Sequence, residues 1–100
     1  MPLDTTRFDV LDHLRTPEEQ VAYIEAVLEE NDSGYLAVAI GNVARARGVT
    51  RFAQEAGLSR EAVYKAFTPG GNPTLETLTK ALAALGLRLA VVPADGRDAA

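Results

Sequence analysis

The sequence predicts an all-α fold with one short strand near its C-terminus, and three observations carry that prediction. Apolar residues recur at helical spacing in separate runs, each closed by glycine or a turn-forming cluster. Residues Thr50 to Phe67 have the pattern of two short crossed helices joined by a tight turn, a helix-turn-helix. Only Leu87 to Pro93 breaks the helical period, with Leu87, Leu89 and Val91 alternating as in a strand.

The first helix announces its own start. Thr16 is placed to cap it, Pro17 fits the first helical position, and Glu19 completes a capping box. Val21, Ile24 and Ala26–Val27–Leu28 then trace an apolar stripe, with Glu25, Glu29 and Glu30 facing away. Asn31-Asp32-Ser33-Gly34 interrupts it. A second helix is expected from about Gly34 to Arg47, burying Leu36, Ala39, Ile40, Val43 and Ala44 and closing at Gly48. Arg45 and Arg47 complement the negative end of its dipole.

In the helix-turn-helix, Thr50 is the expected N-cap of the first helix and Gly57 its stop, at a position that commonly needs positive φ. Ala53 is small where the two helices must approach. Ser59 caps the next helix, whose Ala62, Val63, Ala66 and Phe67 turn inward. Thr68-Pro69-Gly70-Gly71-Asn72-Pro73 is a loop. Thr74 caps a last helix with a Leu75, Leu78, Leu82 and Leu85 seam, stopped by Gly86. The strand beyond it needs a partner, either Thr6–Leu11 or the same strand in a second copy, and pairing between copies is favoured.

Composition narrows the function classes. With 100 residues and 47% hydrophobic content, one compact domain is expected, and without cysteine there are no disulfides or thiolate metal sites. No stretch approaches the ~20 apolar residues of a bilayer span, and the acidic N-terminus does not resemble a signal peptide, so a cytoplasmic protein is expected. His13 is the only histidine, adjacent carboxylate pairs such as Glu18–Glu19 diverge around a helix, and Gly70-Gly71 is not a phosphate loop. Neither catalysis nor a cofactor or metal is expected.

Charge is divided along the chain. Residues 1–34 hold nine acids against Arg7 and Arg15, a net of −7, whereas residues 35–88 hold seven bases against three acids, a net of +4. The remaining residues bring the total to −4. A basic middle suits phosphate and an acidic arm suits a basic protein. The expected division is therefore an acidic arm and helix over 1–33, a helix-turn-helix domain with its strand over 34–93, and a flexible tail over 94–100.

DNA contacts follow from geometry. A helix laid in the major groove with its N-terminal end inward would present Ser59, Arg60, Glu61, Tyr64 and Lys65. Arg60 suits bidentate pairing with guanine, and Glu61 suits either a cytosine amine or a salt bridge to Arg60. Thr50 and Arg51, at the head of the preceding helix, suit phosphate, as do Asn72 and Thr74 before the last helix.

The run ARARGVTRFAQEAGLSREAVYKAF, followed by TPGGNPTLETLTKALAALGLRLAV, closely resembles the addiction-module antidote family, HigA-like antitoxins with an Xre/Cro-type DNA-binding domain. The leader RFDVLDHLRTPEEQVAYIEAVLEEND resembles the family's N-terminal part, and the resemblance spans about residues 5–93. It implies a five-helix, lambda-repressor-like domain that represses its own operon, and a cognate basic toxin of the RelE/ParE-like superfamily. Many such antitoxins carry a long disordered tail, whereas this chain offers a helix and short flanks. Neutralisation is therefore expected at Arg7, Phe8, Val10, Glu18, Tyr23, Glu25 and Glu29, with Thr6–Leu11 available as an added strand. A homodimer on a palindromic operator is the leading expectation. A stand-alone phage-type repressor and a protein-interaction module without DNA binding are the alternatives.

Overall fold

The computed structural model describes residues 10–94. A short 3-10 turn, Val10–His13, leads into five helices: α1 (Pro17–Glu29), α2 (Ser33–Arg47), α3 (Val49–Ala56), α4 (Arg60–Ala66) and α5 (Leu75–Ala84). α2 is the central post. α1 packs along it, α3 crosses it, and α4 and α5 both pack on α3. Among the described residues no helix is long and apolar enough to cross a membrane.

The helix starts are written in local chemistry. Thr16 Oγ1 accepts the Glu19 N–H at 3.1 Å and Glu19 Oε1 accepts the Thr16 N–H at 3.0 Å, so the capping box closes as expected. Asp32, Ser59 and Thr74 each accept the N–H three residues on, at 3.1, 3.0 and 3.0 Å. Gly57 ends α3 in the left-handed region at φ 70°, as its position required. One start differs from expectation: α3 begins at Val49 with Gly48 as N-cap, and Thr50 lies inside its first turn. A single residue, Gly48 at φ 94°, both closes α2 and opens α3. The turn is this short because half-buried Val49 packs directly against the core.

The core joins Leu14, Ile24, Val27, Ile40, Val43, Phe52, Val63, Phe67 and Leu85, with Ala39, Ala44, Ala53 and Ala81 filling the close crossings. α2 passes so near the end of α4 that a Cβ on Gly41 would sit 2.1 Å from the Phe67 carbonyl oxygen. Three expected core positions, Ala26, Leu28 and Leu75, face outward instead. Leu75 is 68% exposed: α5 is anchored through Ala81, Leu82 and Leu85, and its first turn contributes no buried residue. Leu28 is 46% exposed at the end of α1, beyond the stripe of Ile24 and Val27 that faces α2.

The expected strand is absent: Leu87 to Pro93 has no regular secondary structure, and no strand occurs among the described residues. A strand needs a ladder partner for its backbone groups. Of the expected partner Thr6–Leu11, residues 6–9 lie outside the described residues, and Val10 and Leu11 are in the 3-10 turn. Leu87 still packs against the core, while Val91 is fully exposed. The expected tail also lies outside the described residues apart from Ala94.

Candidate nucleic-acid and protein-binding surfaces

α4 is held from behind and open in front. Val63 and Phe67 are buried, with Ala62 and Ala66 half-buried, which fixes the helix against α2 and α3. Ser59, Arg60, Glu61, Tyr64 and Lys65 are all exposed. Arg60 and Tyr64, one turn apart, work as a pair. The Arg60 Nη2 donates to the Tyr64 hydroxyl at 3.2 Å, and the guanidinium lies 5.6 Å from the ring centroid. Arg60 is thereby steadied by an aromatic ring, and no ion pair to Glu61 is among the described contacts. Its remaining N–H groups keep their donor capacity.

The flanking positions differ in how free they are. Thr50 is exposed on the first turn of α3. Arg51 is exposed too, but its Nε donates to Glu55 at 3.1 Å, so a phosphate there would compete with an intrahelical ion pair. Asn72 is exposed in the loop after α4. The Thr74 hydroxyl is engaged as N-cap of α5, accepting from the Thr77 N–H and donating to the Thr77 hydroxyl at 3.0 Å.

The acidic surface lies on α1, which packs along α2. Glu18, Glu25 and Glu29 recur at intervals of seven and four, which aligns them on one outward strip of α1, and all three are exposed. Val10 is half-buried against the core, and Arg7 and Phe8 lie outside the described residues. Tyr23 is half-buried and its hydroxyl is a junction. It accepts from Asn42 Nδ2 at 3.0 Å and meets the Tyr35 hydroxyl at 3.3 Å. Burial, then the Tyr35 hydroxyl, push the Tyr23 phenol above its ordinary value against the opposing pull of Asn42.

Two polar ties behind these surfaces escape a sequence reading. Asn42 is buried between Tyr23 and Arg45, whose Nη2 donates to the Asn42 Oδ1. Gln20 is buried on the inner side of α1, donating to the Leu14 carbonyl at 3.0 Å and accepting from Arg47 Nε at 2.7 Å. Arg47 also donates to the Ala84 carbonyl at 3.3 Å and lies 3.5 Å from Glu55. It therefore ties α1, α3 and the C-terminus of α5 to the end of α2, well beyond the dipole role its position suggested. No buried side-chain polar atom is left without a partner among the described residues.

Residues 4–93 match the family described as "probable addiction module antidote protein". A protein of Haemophilus influenzae (strain Rd), described only as uncharacterized, is 42% identical over 84 residues, spanning 84% of this chain and 87% of its own length. No solved structure matches the chain.

Proposed function

The chain belongs to the family of probable addiction module antidote proteins, and on that premise we propose a folded antitoxin with two working surfaces. An antidote implies a cognate toxin. In this reading the acidic side of α1 binds and neutralises a small basic toxin of the RelE/ParE-like kind, by complementarity of charge. α3 and α4 form a helix-turn-helix of the lambda-repressor-like, Xre/Cro type, and α4 reads operator DNA. A homodimer would set two such helices ~34 Å apart on a palindromic operator and repress the chain's own operon.

The observation that supports the DNA-binding half is the face of α4. Five polar side chains, Ser59, Arg60, Glu61, Tyr64 and Lys65, stand exposed on a short helix whose reverse side is locked by Val63 and Phe67. Rigid seating with a free polar front is what base reading needs. Fluorescence anisotropy against the DNA upstream of the chain's own gene, at two salt concentrations, tests it. The expected outcome is sequence-selective binding that weakens steeply with salt. Arg60→Glu with Lys65→Glu should cost at least ~10-fold in affinity and leave melting unchanged, since both side chains are exposed. Operator binding that survives the double change, or that never exceeds binding to random DNA, overturns the assignment.

A further inference from the structure

From Thr16 to Ala44 the chain carries six acids and no base. Where α1 turns into α2, that stretch folds around a cleft of about 300 Å³ lined by Tyr23, Ala26, Val27, Glu30, Asp32 and Tyr35. Its walls are aromatic and apolar, and the two charges that line it are both negative; the nearby Arg45 guanidinium is engaged by Asn42. Tyr35 is 45% exposed, so much of its ring is open to a partner while its hydroxyl meets that of Tyr23.

The acids around this cleft are poorly placed for the free protein. Glu29 and Glu30 stand at the C-terminal end of α1, where the helix dipole disfavours negative charge, and that last turn has no base. Glu25 and Glu29 are like charges one turn apart. Neither Glu25, Glu29 nor Glu30 takes part in an ion pair among the described residues. One Asp32 oxygen caps α2, which leaves the other free to accept. A cation entering the cleft would meet both Glu30 and Asp32, the two carboxylates that line it.

We propose that the cleft between Tyr23 and Tyr35 receives an arginine side chain of the basic toxin, its guanidinium lying against the tyrosines and donating to Glu30 and Asp32. The proposal rests on the antitoxin reading and gives it a specific anchor. Arginine suits the cleft better than lysine, because a planar guanidinium can lie on a ring and still donate to two separate carboxylates. Tyr23 is held in position by the hydrogen bond from Asn42, so the rear wall of the cleft is fixed before the partner arrives. The acids of the outward strip, Glu18, Glu25 and Glu29, then steer the approach, and the cleft supplies the contact that slows release.

The test is calorimetric titration of the full chain against the small basic protein encoded beside its gene. Glu30→Lys and Tyr35→Ala should each weaken binding at least ~10-fold, whereas Tyr35→Phe should keep the ring and stay within ~3-fold. Leu28→Ala, outside the cleft, should stay within ~2-fold. Melting curves confirm that these exposed positions leave folding intact. If the wild-type pair binds and both Glu30→Lys and Tyr35→Ala bind equally well, the arginine cleft is wrong and the antitoxin reading survives. If the wild-type pair does not bind at all, the antitoxin reading falls and the cleft with it. Loss confined to Glu30→Lys, with Tyr35→Ala unaffected, reduces the site to general charge steering and also overturns the proposal.

Discussion

Replacing Gly41 by alanine tests the crossing of α2 with the end of α4, on which the seating of α4 depends. In an ordinary helix interior the change stabilises by ~1 kcal/mol, because alanine has less backbone entropy to lose. Here the new Cβ would lie 2.1 Å from the Phe67 carbonyl oxygen and 3.1 Å from its carbon. Ordinary contact begins near 3.4 Å, so the two backbones must separate by 1.3 Å, the difference between those distances. Both partners are main chain, and no rotamer change can absorb the overlap. Overpacking of that kind costs about 3 kcal/mol at the upper end of its usual range. Set against the ~1 kcal/mol of helix propensity, the expected net loss is about 2 kcal/mol, which lowers the melting temperature by roughly 8–16 °C in a chain of this size. Gly34→Ala supplies the control: on the same helix its Cβ would meet only Asp32 Oδ1, at 3.5 Å, and should gain up to ~1 kcal/mol. Urea and thermal unfolding followed by far-ultraviolet circular dichroism read both variants. A Gly41→Ala protein as stable as wild type would refute the close crossing of α2 and α4.

Two further outcomes follow from individual residues. Gly57→Val should destabilise by ~1–3 kcal/mol, purely through backbone strain at φ 70°, since nothing lies within 4 Å of the added Cβ; a change near zero in urea unfolding would remove that account of the α3–α4 turn. The Tyr23 phenol is held above its ordinary value of 10.0, so the stability linked to it is whole below about pH 10 and is lost as pH rises through the folded-state value. The stability difference between wild type and Tyr23→Phe should therefore be constant from about pH 7 to about pH 9 and shrink at higher pH, and a difference that stays flat above pH 10 would contradict it.

The sequence was most legible where the physics is local. Thr16, Ser59 and Thr74 cap helices through groups three residues away, and Gly57 stops one through its own backbone freedom. Each of these contacts closes within a single turn, so residue type and spacing suffice to foresee it. The inward set of α4 is similarly local, because a period of 3.6 residues sorts Val63 and Phe67 from Arg60 and Lys65 once the helix is granted. The polar front proposed to meet DNA was therefore visible in advance.

What escaped the sequence depends on segments far apart along the chain. Leu75 matched the seam of α5, yet it stays exposed because that helix packs through its later residues Ala81, Leu82 and Leu85. Gln20 and Asn42 look like surface residues by type, and are buried because Arg47 and Tyr23 reach them from other helices. The strand expected at Leu87–Pro93 had the correct alternation, but alternation does not create a ladder partner. The cleft at the α1–α2 turn joins Tyr23 and Tyr35, twelve positions apart, and no periodicity announces such a meeting. Helix number, the division of charge and most helix ends, the start of α3 excepted, were determined by the order of residues alone, since each rests on near neighbours or on simple counting. Which faces are covered, where the polar ties run and where a cleft opens were decided by the packing of whole helices, because those energies arise only when distant segments exclude water together.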